Sequence, residues 1–233
     1  MAESLYWADA YVEKKRDSQS AVQVIKPGQR VFIGSACGEP QELVRALAEQ
    51  FKAVSGLEVV RMMSRETTSL TDIVNQTKDS SFSIRQIYLG SAGSQPFLKN
   101  QRFVTPMNMS EIPTLFRSRK LPIDVALIQV SPPDDFGWMS LGISVDVTQA
   151  AAYSADVVVA QVNSRMPRVM GQSFIHVNDV DVIVEHEEDL LTIDPMTKSD
   201  ISTMIVRQIS RLIDDDSTLQ VGLDAASQAT VQA

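Results

Sequence analysis

The sequence is poor in the residues that build covalent or metal-held scaffolds. One cysteine, Cys37, stands among 233 residues and cannot close an intrachain disulfide. With only two histidines, His176 and His186, it also cannot complete an ordinary structural zinc site. Basic residues are outnumbered, 21 Lys+Arg against 29 Asp+Glu, and the net charge of −8 repels phosphate backbones and anionic lipid. Nucleic acid and membrane surfaces are therefore poor partners. The apolar runs are as short as Val157-Val158-Val159-Ala160, far below the roughly 20 residues that span a bilayer. The opening Met1-Ala2-Glu3-Ser4 lacks the basic and apolar regions of a secretory signal. These absences point to a reducing, cytoplasmic compartment. The 44% hydrophobic and 21% charged residues suit an ordinary globular protein with one large core, or one core and part of another.

What is present is an alternation of two patterns. Short β-branched runs at 30–33, 57–60, 84–89, 124–129, 156–162 and 181–185 read as strands, several of them apolar on both faces as a covered parallel strand requires. Between them lie stretches with apolar residues at three- and four-residue spacing: 41–54, 70–76, 111–117, 147–154 and 199–213. Strand, helix, parallel strand predicts an α/β fold with an open, mostly parallel sheet flanked by helices. Pro and Gly cluster in Ser131-Pro132-Pro133-Asp134-Asp135-Phe136-Gly137 and again near Met166-Pro167 and Gly171, just after predicted strands. In open parallel sheets such loops are where ligands bind.

The chain also echoes itself. Val31-Phe32-Ile33-Gly34 leads through Ser35-Ala36-Cys37-Gly38 into a helix, and Leu219-Gln220-Val221-Gly222 leads through Leu223-Asp224-Ala225-Ala226 into the start of another. A helical run precedes each, 4–16 and 199–213. The repeat predicts a first domain over 1–213 and, from 214 to 233, the opening of a truncated second copy with no helix stop signal.

Several residues have the chemistry for a site. Gly34-Ser35-Ala36-Cys37-Gly38-Glu39-Pro40 is a small-residue turn that lets a ligand approach the backbone, with Pro40 suited to the first helical turn. It serves equally as a tight packing turn, lacking the spacing of a phosphate loop. Glu39 could be an active-site carboxylate, or an acid placed where the helix dipole favours one. Cys37 sits where a nucleophile could, or is a small buried turn residue. His176, on an alternating stretch, either points at a site or hydrogen-bonds at a strand edge. His186 falls in an acidic run, 185–189, that reads as a solvated loop, and Arg117-Ser118-Arg119-Lys120 as a solvated helix end. The methionines, among them Met62, Met107, Met139, Met166 and Met170, read as gap-filling core or as pocket lining.

Taken together, the residues from 20 onward resemble the acetyl-CoA hydrolase/CoA-transferase family, which includes 4-hydroxybutyrate and butyryl CoA-transferases. The turn from Val31 to Pro40 looks like its first glycine loop. Ser110 to Pro113, Leu121 to Asp134, Ser140 to Asp146, Asn163 to Pro167 and Gly171 to Val177 look like consecutive family blocks. The resemblance implies a CoA-transferase-like domain, two such domains in the whole protein, and transfer of coenzyme A between small carboxylates. It implies a glutamate nucleophile in the second domain, forming a glutamyl-CoA intermediate. No residue here occupies that motif, so the chain is expected to be catalytically silent alone. Coenzyme A is then a substrate, with no permanently bound cofactor and no metal, and the partners are an acyl-CoA, a carboxylate, the second domain and a second copy of the protein. By the same resemblance Gly34, Ser35, Ala36, Cys37, Gly38 and Glu39 help hold the acyl oxygen. Gln129, Ser131, Pro132, Pro133, Met166, Pro167, Gln172 and His176 line the acyl and pantetheine channel. One departure stands out: where the family's second glycine loop reads Gly-Ile-Gly, this chain has Gly222-Leu223-Asp224. That departure motivates an alternative, a non-catalytic acyl-CoA-binding module. An acetyl-CoA hydrolase is a second alternative, and a cysteine hydrolase built on Cys37 and His176 a third.

Overall fold

A computed structural model describes residues 6–50, 55–63, 70, 82–87, 102–193, 200–222 and 224–231. Its centre is β1 (Arg30–Ile33), a strand buried on both faces. From there the chain moves outward through β2 (Leu57–Arg61), β3 (Phe82–Gln86) and β4 (Arg102–Val104). It then returns to lay β5 (Val125–Val130) against the other side of β1 and continues through β7 (Val157–Val162) to β9 (Val182–Glu185). The resulting order is β4-β3-β2-β1-β5-β7-β9, and every neighbouring pair is parallel. β6 (Trp138–Ser140) and β8 (Phe174–His176) form a separate antiparallel pair.

Strand alternation sorts the apolar side chains into two cores. Val31 and Ile33 join Leu43, Val44, Leu47, Val59, Ile84 and Leu127 on one face, while Phe32, Val60, Ala126 and Ile128 join Ile112, Phe116 and Ala151 on the other. The first face is covered by α2 (Ser18–Val22) and α3 (Gln41–Gln50), the second by α1 (Trp7–Lys14), α4 (Ile112–Arg117) and α5 (Thr148–Ser154). α3 sets Leu43 and Val44 one turn before Leu47 and buries all three, each worth about 1.5–3 kcal/mol. Leu47→Ala would therefore cost about 2–5 kcal/mol.

The run predicted as one helix over 4–16 is broken. α1 stops at Lys14 because Lys15 is extended and bridges Ile183, and the Arg16 amide donates to the Ile183 carbonyl at 2.9 Å. The segment thus covers the outer edge of β9. Asp17 then caps α2, accepting from the Ser20 amide at 2.8 Å. Pro40 lies one residue before α3 rather than inside its first turn, and its carbonyl accepts the Val44 amide at 3.0 Å. Of the expected elements, 51–54, 71–76 and 88–89 lie outside the described residues; Leu70 is helical and buried.

Two compact units partition the chain, Met1–Leu191 and Thr192–Ala233. The second holds α6 (Asp200–Ile209), which runs on as a 3-10 turn over Ser210–Leu212, and α7 (Ala225–Val231). α6, read from sequence as the end of the first domain, belongs to this second unit. The echo of β1 at 219–222 forms no strand, although the helix after it does.

Candidate functional site

The strand order reverses between β1 and β5: loops leaving these two strands diverge in opposite directions and open a crevice at the carboxyl edge of the sheet. The turn after β1 stands on one side. The Gly34 amide donates to the Leu127 carbonyl at 2.9 Å and the Ala36 amide to Met63 at 2.9 Å. The Gly38 amide is shared between the Ser35 carbonyl at 3.0 Å and Ser144 Oγ at 3.1 Å, and the Glu39 amide reaches Ala36 at 3.4 Å. These four donors are engaged within the domain. Ser35 is fully buried and its hydroxyl donates to Asp146, which also accepts the Thr148 amide at 2.9 Å. What the turn presents outward is the small side chains of Ala36, held at φ +50°, and Cys37, both half-buried.

Behind the turn runs a buried amide relay. Gln129 Nε2 donates to the Glu39 carbonyl at 2.9 Å, and its Oε1 accepts from Asn163 Nδ2 at 2.7 Å. The same Nδ2 reaches the Glu188 carbonyl at 2.8 Å, while Asn163 Oδ1 accepts the Arg165 amide at 3.0 Å. Gln161, one strand position from Val162, donates to Glu188 Oε1 at 2.6 Å and accepts the Glu42 amide at 3.1 Å. Gln129, Gln161 and Asn163 are at most 2% exposed, so each must be hydrogen-bonded, and each is. The relay ties the loops after β1, β7 and β9 to the end of β5 in one frame. It corrects the reading of 185–189 as a solvated loop: Glu188 is drawn in by Gln161 and by Arg45 at 2.8 Å. It also corrects Glu39, which is buried rather than displayed at a helix start.

The other side of the crevice is braced by the β6–β8 pair. Ser131 caps the end of β5, its amide donating to the Ser140 carbonyl at 2.8 Å and its Oγ accepting the Ser140 amide at 2.9 Å. Asp134 accepts amides from Phe136 at 2.9 Å and Trp138 at 2.8 Å and pairs with Arg168, whose guanidinium lies 4.5 Å from the Phe174 ring centre. Burial raises the Asp134 pKa, but those two amides and Arg168 outweigh it and hold the carboxyl below its usual range. Met166 is buried with its sulfur against Gly142, so it packs the loop instead of lining a channel. Pro132, Pro167 and Gln172 are exposed, and Pro133 is half-buried.

His176 lies on this pair with both ring nitrogens committed. Nδ1 accepts the Asn178 amide at 3.1 Å, which places the proton on Nε2, 2.9 Å from the Phe136 carbonyl. The imidazole is thus a strand-edge brace, and the arrangement does not pair it with Cys37.

A cavity of about 270 Å³ opens beside Pro132, walled by Tyr11, Val162, Ser164, Glu185, His186 and Glu187. Burial, the 2.8 Å hydrogen bond to Glu185 and that carboxylate's charge all raise the Tyr11 pKa. Lys15, at 2.6 Å, holds Glu185 low against the opposing effect of burial. Its acidic walls suit a neutral, amide-bearing group better than a phosphate. Of the residues expected at the site, Pro132 alone lines this cavity. Asn163, Ser144, Asp146 and Glu188 were missed as framework residues. The readable signal was polar side chains, Gln129 and Gln161, set inside strands otherwise apolar throughout.

An open parallel sheet with a small-residue turn at its switch point and a braced loop opposite is an α/β domain suited to take a ligand at the carboxyl ends of its strands. The acetyl-CoA hydrolase/transferase N-terminal domain matches residues 3–195, and the chain belongs to that family. It is 38% identical over 225 residues to the 4-hydroxybutyrate coenzyme A transferase of Clostridium kluyveri, covering 97% of this chain and 52% of that one. It is 30% identical over 210 residues to the succinyl-CoA:acetate/propanoyl-CoA:succinate CoA transferase of Fasciola hepatica, covering 89% and 43%. Among solved structures, the 4-hydroxybutyrate CoA-transferase of Porphyromonas gingivalis superposes with a TM-score of 0.77 at 28% identity, covering 97% of this chain and 52% of that one. RipA of Yersinia pestis gives 0.83 at 25%, covering 97% and 54%. The chain spans about half the length of the relatives it matches.

Proposed function

We propose that the chain is the N-terminal half of an acyl-CoA:carboxylate CoA-transferase and forms one wall of its active-site cleft. The observation that carries this is the small-residue turn at the sheet's switch point, in a chain whose curated relatives are CoA-transferases. In this reading a glutamate of the second half attacks the thioester carbonyl, expelling CoA thiolate and leaving a mixed anhydride. The thiolate then attacks the glutamyl carbonyl of the anhydride, releasing the first carboxylate and leaving glutamyl-CoA. The second carboxylate reverses the sequence and departs as the new acyl-CoA. The residues of this chain position substrates rather than react. Ala36 and Cys37 give the acyl group close approach, the Gln129–Asn163 relay keeps the turn from shifting, and the cavity beside Pro132 takes the neutral amide arm of the pantetheine. The complete protein works as a cytoplasmic homodimer with no resident cofactor or metal.

Asp224 bears on the alternative of a non-catalytic binding module. Its Oδ1 accepts the Ala226 and Ser227 amides at 3.0 Å each, so it caps α7. The departure from Gly-Ile-Gly therefore has a local structural role that is compatible with catalysis. Fusing this chain to the second half of the Clostridium kluyveri relative tests the proposal. Acetate-dependent exchange of label between acyl-CoA and free acid is expected in the fusion and absent from the 233-residue chain. A folded fusion that binds acyl-CoA without exchange overturns it.

A further inference from the structure

Three residues other than glycine hold a positive φ among the described residues: Ala36 at +50°, Arg119 at +55° and Asp216 at +63°. For two of them the left-handed region is ordinary. Arg119 lies just past the last turn of α4, a usual place for such a residue, and Asp216 is of a type that tolerates the region in turns. Neither reason applies to Ala36. The Gly38 amide donates to the Ser35 carbonyl at 3.0 Å, so 35–38 is a tight turn with Ala36 at its first central position. A positive φ there normally falls to Gly, Asn or Asp, and an alanine disfavours it by about 5- to 30-fold. Such a conformation persists only where the surroundings over-determine it.

The segment from Ser144 to Thr148 does so. Ser35 is fully buried, and its hydroxyl turns inward to Asp146 Oδ2. Two residues earlier in that segment, Ser144 Oγ accepts the Gly38 amide at 3.1 Å. The turn is thereby gripped on both sides of Ala36 and Cys37. The other oxygen of Asp146, Oδ1, accepts the Thr148 amide and the Thr148 hydroxyl at 2.9 Å each. A carboxylate serving only the start of α5 would need just that oxygen. Asp146 is an exposed residue, yet its Oδ2 is directed away from water to a serine 111 residues earlier in the chain.

We infer that Asp146 is a positioning residue of the acyl-transfer site: acting through Ser35, it keeps Ala36 left-handed, so that the face made by Ala36 and Cys37 meets the acyl thioester already set. A turn free to relax would offer that face only part of the time, and kcat/KM would fall with the fraction lost. The inference rests on the half-enzyme reading. Its first test is read on the chemistry of Cys37 and its second on exchange, so the two fail separately.

Cys37 is the one cysteine of the 233-residue chain, so the rate of its alkylation by N-ethylmaleimide reports on this turn alone. Asp146→Ala should raise that rate at least about fivefold, Ser35→Ala should raise it equally, and the double variant no further, since each removes the same clamp. The rise should be independent of low urea, which separates local opening of the turn from global unfolding. Thr148→Val, which takes only a hydroxyl from Oδ1, should react as the parent does. In the fusion with the second half of the Clostridium kluyveri relative, Asp146→Ala should lower kcat/KM per folded molecule by about 5- to 30-fold. Ala36→Gly in that background should recover all but about two- to threefold, because glycine takes positive φ about as readily as negative. A role confined to stability would leave turnover per folded molecule unchanged. Should Asp146→Ala not fold, Ser35→Ala, which leaves the start of α5 intact, carries both measurements. The inference is overturned by alkylation at the parent rate in these variants, by additive effects of the two substitutions, or by a fusion variant that turns over like its parent. A parent fusion without exchange overturns the half-enzyme reading instead, and the Cys37 rates then decide the clamp.

Discussion

Replacing Gly38 by alanine probes the switch-point turn with one methyl group. An added Cβ would stand 2.5 Å from Ser144 Cβ and 2.8 Å from its Oγ, with the Ser35 carbonyl at 3.4 Å. Ser144 is buried and attached to backbone, so it cannot swing clear as a long flexible side chain would. Overpacking of this kind costs about 1–3 kcal/mol. Moving Ser144 also breaks its 3.1 Å hydrogen bond from the Gly38 amide, worth about 1 kcal/mol. The total, about 2–4 kcal/mol, corresponds to a fall in Tm of about 4–16 °C for a chain of this size. Urea unfolding followed by the fluorescence of Trp7 and Trp138 reports on the relevant unit, since both tryptophans lie in it. Ser144→Gly in the Gly38→Ala background removes the obstructing Cβ. It should recover all but about 1 kcal/mol, a coupling that two independent sites would not show. Gly38→Ala melting with the parent, or a double variant no more stable than the single one, would refute the steric account of this turn.

Two further outcomes follow from the same framework. Asn163→Ala strands Gln129 Oε1 and the Glu188 carbonyl in a buried site and should cost about 3 kcal/mol or more by calorimetry, far above the change at an exposed asparagine such as Asn178. Asp134 has a folded pKa below its unfolded one, so its stabilising effect is complete above about pH 4 and is lost as pH falls through the lower, folded value. Acid should therefore loosen the β6–β8 pair, seen as a change in Trp138 emission, and Asp134→Asn should flatten that acid limb.

The legibility of the fold in the sequence followed how continuous each signal was. β5 and β7 are buried at nearly every position, and their unbroken apolar runs announced them. β4, β6 and β8 have three residues each, and β6 pairs with a strand more than thirty residues away, so neither length nor local pattern could reveal them. α2 is a five-residue helix marked only by its Asp17 cap, and the break before it is imposed by Ile183, a contact made far along the chain. At the site, the turn from Gly34 to Gly38 and the loop at Ser131 were readable because small residues and prolines punctuate strand ends. The relay through Asn163 and Glu188 was not, because its members gain their roles from three loops meeting the end of β5 in space. Glu188 in particular lies in an acidic run whose composition gives no sign of Gln161 beneath it.

The position of β1 has a consequence for how the protein is made. It lies between β2 and β5, yet the residues that pair with its second edge begin at Val125. At synthesis rates of about 5–20 residues per second, the ribosome takes roughly 5–20 s to deliver that partner after Ile33 has emerged. Throughout that interval this edge of a strand buried in the finished domain stays open and is able to recruit a neighbouring nascent chain. The yield of soluble protein should thus depend on how fast the stretch between β1 and β5 is translated, and on the chaperones that shield the open edge meanwhile.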